Sequence, residues 1–186
     1  MVERIEIKDI VLLKHGIACK NGNNINGEIH YYQMRDYDVE ADTFVHNTTV
    51  TNVNNAVMKH LLCKKDLLIT MKGSRYYCAL YNPEKEEKAV ASGAFLILKV
   101  IDSRITPEYL CWYLNRPEVS EKLIQWRRRW LFYFQKEMLN QLAIPSLDIV
   151  IQKCNYNMYK LEREALKVQQ KLFDERQRLI FHLLHR

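Results

Sequence analysis

With 186 residues, the chain can form one domain with a hydrophobic core and an appendage, and it is marginal for two domains. Hydrophobic residues make up 48% and charged residues 27%, as in ordinary water-soluble proteins, and the net charge of +6 is compatible with a polyanionic partner such as nucleic acid. The charged N-terminus is not followed by an apolar run long enough for a signal peptide or a membrane span. We therefore expect a cytoplasmic protein that does not contact membranes.

The cysteine spacing favours neither a disulfide framework nor a metal site. His60 with Cys63, and His182 with His185, are close enough in sequence to be metal ligands. Neither pair has the second pair that a closed zinc site requires, so no metal is expected. The cysteines are odd in number, widely spaced and without a C-x-x-C pair, which predicts reduced and mostly buried thiols at Cys19, Cys63, Cys78, Cys111 and Cys154.

The part of the chain before Thr106 predicts a β-rich head. The Asn- and Gly-rich residues 19–28 indicate a turn or open loop, and residues 9–14 fit either a helical turn or a strand. Residues 36–56 are polar but rich in β-branched side chains, so we expect exposed strands and loops there. Segments with the alternation or the continuous apolar character of strands lie at 2–7, 29–34, 67–70, 75–81 and 89–101.

A cluster of short helices follows the head. Thr106, Pro107 and Glu108 are typical of a helix start, because Thr caps the first turn, Pro fits the first helical position and an acidic residue is favourable there. Arg116 and Pro117 predict the start of a second helix, and residues 132–142 form a third, mixed segment. Residues 143–147 are the joint before the last helix.

Residues 151–186 predict one long helix with an apolar seam. They contain neither Pro nor Gly, and apolar residues recur in alternating steps of three and four, the heptad pattern of a coiled coil. At about 1.5 Å per residue this helix is roughly 50 Å long, so its seam needs a partner helix of similar length. Glu175 and His182 interrupt the seam, which predicts looser pairing toward its far end. Cys154 also lies on the seam, and we expect a homodimer through Ile151, Met158, Leu161, Ala165, Val168, Leu172 and Leu179.

The order of these elements predicts an α+β protein. Its β-rich head and small helical cluster occupy residues 1–147, and its long coiled-coil helix occupies residues 148–186. No internal repeat is visible in the sequence. The expected shape is a globular head on a helical stalk.

The sequence lacks the signatures of common enzymes. Lys72, Gly73 and Ser74 have the residue types of a phosphate-binding loop, but in the wrong order and without the leading glycine. There is no G-x-S-x-G or H-E-x-x-H segment, and Asn82-Pro83-Glu84 matches only the start of the amino-methyltransferase signature. We therefore expect a chain that is not an enzyme and binds no cofactor of its own.

Three polar segments carry side chains of the kinds that bind DNA. Arg, Lys, Asn and Gln can place two hydrogen bonds on a base edge, and Lys, Arg and small hydroxyl groups bind phosphates. Each segment alone fits a solvated loop, strand end or helix end equally well. Together, on a basic chain without catalytic motifs, they favour DNA contact by Lys14, Lys20, Asn21, Asn23, Asn24, Arg35, Lys72, Ser74, Arg75, Arg127, Arg128 and Arg129.

Several short motifs occur in a distinctive order along the chain. They are residues 10–16, 66–73, 91–98, 105–110, 113–114 and 142–147, followed by Gln152 and the long helix. No single motif is specific, but the ordered set at these spacings is, and it covers most of the chain. The set resembles the specificity (S) subunits of type I restriction-modification systems.

The family's S subunits usually contain two such units, each a target recognition domain followed by a long helix, and the two helices pack antiparallel as a spacer. This chain has one unit and resembles a half-size S subunit or a fragment of a full one.

The resemblance implies a DNA target recognition domain at 1–147 and a dimerisation or spacer helix at 148–186. It also implies two partners, double-stranded DNA and a modification (methyltransferase) subunit that binds S-adenosylmethionine. In the full complex, a restriction subunit is a third partner. The chain would direct the methyltransferase to a bipartite target. Two segments differ from the family's usual pattern: the joint lacks the second Pro and the Glu before Gln152, and residues 127–130 replace a Gly-Ser step.

Two other functions stay open at this point. A protein-interaction module would use the coiled-coil helix as its functional surface and the head as a scaffold, without binding DNA. A small standalone enzyme would need a cleft with titratable partners, and the sequence offers no such pair. Salt dependence separates DNA binding from the first of these, because a head that neutralises several phosphates loses DNA affinity steeply as salt rises.

Overall fold

The computed structural model of the chain describes residues 3–19, 21–22, 29–38, 43–45, 49–50, 55–72, 76–83, 85–129 and 136–184. The helices are α1 (Ile7–Ile10), α2 (Asn55–Lys59), α3 (Pro107–Asn115), α4 (Pro117–Arg129), α5 (Lys136–Asn140) and α6 (Ile149–Leu184), with a short 3₁₀ helix at Met34–Asp36. The strands are β1 (Arg4–Glu6), β2 (Val11–His15), β3 (Asn21–Gly22), β4 (His30–Tyr32), β5 (Tyr37–Asp38), β6 (Thr43–Phe44), β7 (Thr49–Val50), β8 (Leu67–Thr70), β9 (Cys78–Leu80), β10 (Ala89–Ala91), β11 (Phe95–Val100) and β12 (Ala143–Pro145). The α+β class and the long C-terminal helix are confirmed.

A four-stranded antiparallel sheet in the order β2-β11-β8-β9 forms the centre of the head. Successive side chains of a strand point to opposite faces, and all four residues of β8 are buried because each face is covered by a separate core. Leu67 and Ile69 belong to the core that includes the buried residues of α3 and α4. Leu68 and its partner Ile97 face the other core, which is rich in tyrosine.

The prediction of one strand at 89–101 is wrong, because the chain changes sheets in the middle of that segment. β10 pairs in parallel with β4 in a second four-stranded sheet, whereas β11 lies in the central sheet. The Phe95 N–H donates to the Ser92 carbonyl (3.0 Å) and closes a turn between the two strands. The backbone of Gly16 packs against this turn so closely that a Cβ there would lie 2.0 Å from the Ser92 carbonyl oxygen.

The segment before the long helix, predicted as a joint, is a strand that fixes the base of the helix. β12 pairs antiparallel with β1, with Ile5 opposite Ile144. The Tyr109 hydroxyl donates to the Pro145 carbonyl (3.0 Å), and burial raises the pKa of Tyr109 to about 12, so its proton stays in place. The polypeptide therefore enters α6 from a strand that is held by both the N-terminus and α3.

The two predicted helix starts after residue 105 are confirmed. The Thr106 side chain accepts a hydrogen bond from the Tyr109 N–H (3.2 Å), with Pro107 at the first helical position of α3. Helix α4 begins at Pro117, as predicted. The Asn115 amide, in the last turn of α3, accepts from the Cys78 N–H (2.9 Å) and donates to the Cys78 carbonyl (2.7 Å), which joins the helix to strand β9.

Gln152, in the first turn of α6, joins the long helix to the head. Its side chain is fully buried. The Oε1 atom accepts from the Thr106 N–H (2.8 Å) and from the Thr106 hydroxyl (3.2 Å). The Nε2 atom donates to the carbonyl oxygens of Arg104 (2.6 Å) and Leu147 (2.8 Å). A buried amide with all its hydrogen bonds made holds α6 against the start of α3 in one orientation.

All five cysteines are free thiols, as predicted. Cys78 and Cys111 are buried, whereas Cys63 and Cys154 are exposed, so the expectation of mostly buried thiols is wrong for these two. Cys154 is exposed because it lies on the seam of α6, which the head does not cover. Within the described part of the chain, no helix has the length and apolar character needed to cross a membrane.

Replacing Gln152 with Ala should destabilise the protein by about 2–4 kcal/mol, because it removes a buried side chain whose amide bonds the partly buried backbone groups of Thr106, Arg104 and Leu147. The free energy of unfolding from urea titration measures the loss. Gln169→Ala on the exposed part of the same helix is the matched control and should change it by less than about 0.5 kcal/mol. Equal effects of the two variants would contradict this role for Gln152.

Candidate nucleic-acid interface

The structure describes the side chains of three of the predicted DNA-contact residues. Lys14 on β2, Arg35 on the 3₁₀ helix and Lys72 after β8 are all exposed. Asn21 lies in β3, and the backbone of Arg127, Arg128 and Arg129 forms the last turn of α4, where their side chains are not described. Lys20, Asn23, Asn24, Ser74 and Arg75 lie outside the described residues. The contacts themselves stay predictions.

Strand register brings Lys14 next to a lysine that the sequence analysis did not select. Lys14 lies opposite Ile97, and Lys99 lies opposite Leu12, so both lysines share one face of the central sheet. Both are near the buried carboxyl group of Asp66, which accepts a hydrogen bond from the Cys63 N–H (2.8 Å). The sequence signal for this pair was weak, because each strand carries a single lysine after a continuous apolar run.

Burial raises the pKa of Asp66, and the Cys63 N–H, Lys99 and Lys14 oppose that shift. The folded protein therefore holds the Asp66 proton at pH values where the unfolded chain has released it. As pH rises from the ordinary value of 3.8 through the folded-state pKa, this group lowers the free energy of unfolding.

We expect Asp66→Asn to remove this pH dependence, because the amide oxygen can still accept the Cys63 hydrogen bond but carries no charge. As pH rises above 3.8, the free energy of unfolding of the variant should increase relative to that of the wild type. Chemical denaturation at several pH values measures it. A difference that is constant with pH, or that favours the wild type as pH rises, would contradict the assignment.

Arg35 projects from a rigid, aromatic corner of the head. The adjacent Asp36 is buried and accepts a hydrogen bond from the Gln33 N–H (2.8 Å), which closes the 3₁₀ turn. The Tyr77 hydroxyl donates to the Met34 carbonyl (3.1 Å), and the Tyr77 ring stacks on Tyr37 with a centroid separation of 4.4 Å. The Arg35 guanidinium group lies 3.8 Å from an Asp36 carboxylate oxygen and is mostly exposed, so it is accessible to a ligand.

A cleft of about 690 Å³ lies between the head and the long helix, and the sequence analysis did not predict it. We call it the head–helix cleft. The turns of α6 that follow the Gln152 contact form one wall, and β6 and the segment after β9 contribute to the other. Its lining residues are Tyr32, Thr43, Phe44, Leu80, Tyr81, Asn82, Pro83, Lys85, Glu87, Tyr156, Lys160, Arg163, Glu164 and Lys167.

A carboxylate held by two phenols lies in the head wall of this cleft. Glu87 Oε1 accepts hydrogen bonds from the hydroxyl groups of Tyr32 (2.7 Å) and Tyr81 (3.2 Å). Burial raises the pKa of both tyrosines well above the ordinary value, so the phenols remain donors at neutral pH. The Tyr32 ring also packs against Phe44, with centroids 4.5 Å apart. The head side of the cleft is therefore aromatic and internally bonded.

The seam of α6 faces away from the head. The partly or fully buried residues Gln152, Tyr156, Arg163 and Lys167 recur with helical spacing and mark the face toward the head. The predicted seam lies on another face, and its side chains are half or more exposed where their exposure is given: Ile151, Met158, Leu161, Val168, Leu172 and Leu179. Ala165 and Cys154 are exposed as well. The head therefore leaves the whole apolar seam uncovered.

Comparison with solved structures places this fold beside type I restriction-modification proteins. One chain, from a study titled "Structural basis underlying complex assembly and conformational transition of the type I R-M system", superimposes with a TM-score of 0.68 and 17% identity. The match covers 95% of this chain and 43% of that one. The HsdS subunit from Thermoanaerobacter tengcongensis superimposes with a TM-score of 0.63 and 15% identity, over 90% of this chain and 39% of that one.

The chain matches no protein-family model and no curated protein sequence. It spans about two fifths of the length of the structures it resembles. At these identities the likeness concerns the fold, in which a β-rich head is followed by helices and a long terminal helix. The chain has the fold of the S subunits (HsdS) of type I restriction-modification systems, in the form of one head and one long helix.

Proposed function

We propose that the chain is a DNA recognition subunit of a type I restriction-modification system, with no catalytic activity of its own. In this proposal the β-rich head (residues 1–147) reads one half of a bipartite DNA target, and the long helix (residues 148–186) pairs with a second copy. A methyltransferase subunit is thereby directed to the target, and a restriction subunit joins in the full complex.

The observation that carries this proposal is the hydrogen-bonded junction between the head and a long helix whose apolar seam is exposed. Gln152 makes four hydrogen bonds to the head from the first turn of α6. On another face of the same helix, the seam from Ile151 to Leu179 is exposed. A spacer between two DNA-reading heads requires two features. One is a rigid junction with the head on one face of the helix, and the other is an uncovered apolar seam on another face.

A homodimer through this seam would be symmetric. Two identical heads related by a twofold axis read identical half-sites in opposite orientation, so the expected target is a palindrome interrupted by a spacer. The separation of the half-sites would be fixed by the overlap of the two helices, because each head is joined rigidly to its own helix through Gln152.

A second apolar row on α6 supports binding of a further partner. Leu166, Phe173 and Ile180 recur every seven residues and are exposed, with Glu162, Gln169 and Arg176 between this row and the seam. A helix with two apolar rows can contact one partner helix on each. In the proposed complex, the seam binds the second copy and this row contributes to the contact with the methyltransferase subunit.

The function is tested by co-expressing the chain with a type I methyltransferase subunit and mapping methylated bases by single-molecule sequencing. We expect methylation at one interrupted palindrome, because the heads are identical and antiparallel in the proposed dimer. A complex that methylates DNA without a defined target would contradict the proposed role. A stable dimer that binds no DNA, even at low salt, would favour a protein-interaction module instead.

Leu161→Asp and Leu172→Asp should each weaken the dimer while leaving the head folded. An unpaired charge buried at an interface costs about 3–5 kcal/mol, which corresponds to at least about a 100-fold weaker association. Sedimentation equilibrium measures the association, and far-ultraviolet circular dichroism checks the fold. The control Gln177→Asp adds the same charge outside the seam and should leave the dimer intact. If both seam variants sediment like the wild type, the seam is not the dimer interface.

A further inference from the structure

The lining of the head–helix cleft carries an excess of positive charge. Its lining includes four cationic residues, Lys85, Lys160, Arg163 and Lys167, against Glu87 and Glu164. Glu87 is already bonded to two phenols. Among the described residues, neither Lys160 nor Lys167 takes part in an ion pair. Side chains of this kind, gathered in a concave surface, form an electrostatic site for an anion.

We propose that the head–helix cleft binds the sugar-phosphate backbone of double-stranded DNA, so that the long helix contributes directly to DNA affinity as well as to spacing. This inference rests on the proposed function and extends it, because it assigns DNA contacts to α6, for which the sequence analysis expected only pairing and spacing.

The spacing of the helix cations matches a DNA strand. Lys160, Arg163 and Lys167 are separated by three and four residues, so they lie on neighbouring turns of one face. The distance from Lys160 to Lys167 along the helix axis is about 10 Å, and one DNA strand carries a phosphate about every 3.4 Å of its axis. Laid parallel to the duplex axis, the row spans the rise of roughly three nucleotides of one strand.

The arginine of the row is held in a fixed position. An Nη atom of Arg163 donates to the Tyr159 hydroxyl (2.8 Å), and the guanidinium carbon lies 5.5 Å from the centroid of the Tyr159 ring. A guanidinium group held in this way presents a positive charge at a defined position on the cleft wall. Lys85 faces this row from the head side of the cleft, so an anion in the cleft is approached by cations from two sides.

The composition of the cleft favours phosphate contacts over base stacking or protein docking. Tyr32 packs against Phe44 and Tyr81, with centroids 4.5 and 6.1 Å apart, so these rings are already engaged with each other. The exposed apolar side chains of α6 that suit a protein partner, such as Leu172 and Phe173, lie beyond the cleft. We therefore expect these DNA contacts to be independent of base sequence.

The test compares two double variants of the full chain for binding to a short duplex of random sequence between about 50 and 200 mM salt. Lys160→Gln with Lys167→Gln removes two cations from the cleft. Lys153→Gln with Lys171→Gln removes two exposed lysines of the same helix that do not line it. The slope of log affinity against log salt should decrease by about 0.9 for each lost phosphate contact in the cleft variant, and it should change little in the control. Circular dichroism and sedimentation verify that fold and oligomeric state are unchanged.

Three outcomes would overturn this inference, and they separate it from the proposed function. Equal losses in the two double variants would indicate a general effect of helix charge. A cleft variant that binds DNA normally but no longer binds the methyltransferase subunit would make the cleft a protein-docking site. The cleft variant could also keep the salt dependence of the wild type and still direct methylation to one target. That result would exclude the cleft from DNA binding and leave the proposed function intact. If the wild type binds no DNA at low salt, both proposals fail.

Discussion

The orientation of the long helix depends on one buried amide. Gln152 lies in the first turn of α6, and its side chain bonds to the start of α3 and to the segment that precedes α6. A glutamine fits this position because its side chain offers one acceptor oxygen and two N–H donors. The oxygen accepts from a peptide N–H and a hydroxyl group, and the two N–H groups donate to two carbonyl oxygens. An apolar side chain would leave these backbone groups unsatisfied, and the helix would lose the contact that sets its direction. The exposed seam and the head–helix cleft both follow from that direction.

The faces of the helix differ because the head borders only one of them, and only as far as Lys167. The face with Tyr156, Arg163 and Lys167 borders the cleft and is partly buried. The seam face is apolar and uncovered. Beyond Lys167 every described side chain of the helix is exposed, so helical stability there cannot come from packing within the chain. An exposed helix of this length is stabilised mainly by a partner that buries its apolar stripe.

Local patterns were sufficient to predict three elements, because each has a strong signal within a short window. The long helix has a heptad seam, the helix that begins at Pro107 has a capping threonine with proline, and strand β8 has a continuous apolar run. The strand predicted at 89–101 was wrong because a sheet change at Ser92 depends on the close approach of Gly16, distant in sequence. Strand β12 was missed as a strand for a similar reason, since its partner β1 lies at the other end of the chain.

By itself the sequence determined the α+β class, the order of head and helix, the positions of the apolar seam and the basic character of the chain, because periodicity, capping and charge are local properties. Only the tertiary structure decided that the seam faces away from the head, that Lys14 shares a sheet face with Lys99, and that Lys85 faces Lys160 across a cleft. Each of these facts depends on strand register or on the direction of α6. Those are fixed by contacts between residues far apart in the chain, such as Gln152 with Thr106, which no short window of sequence contains.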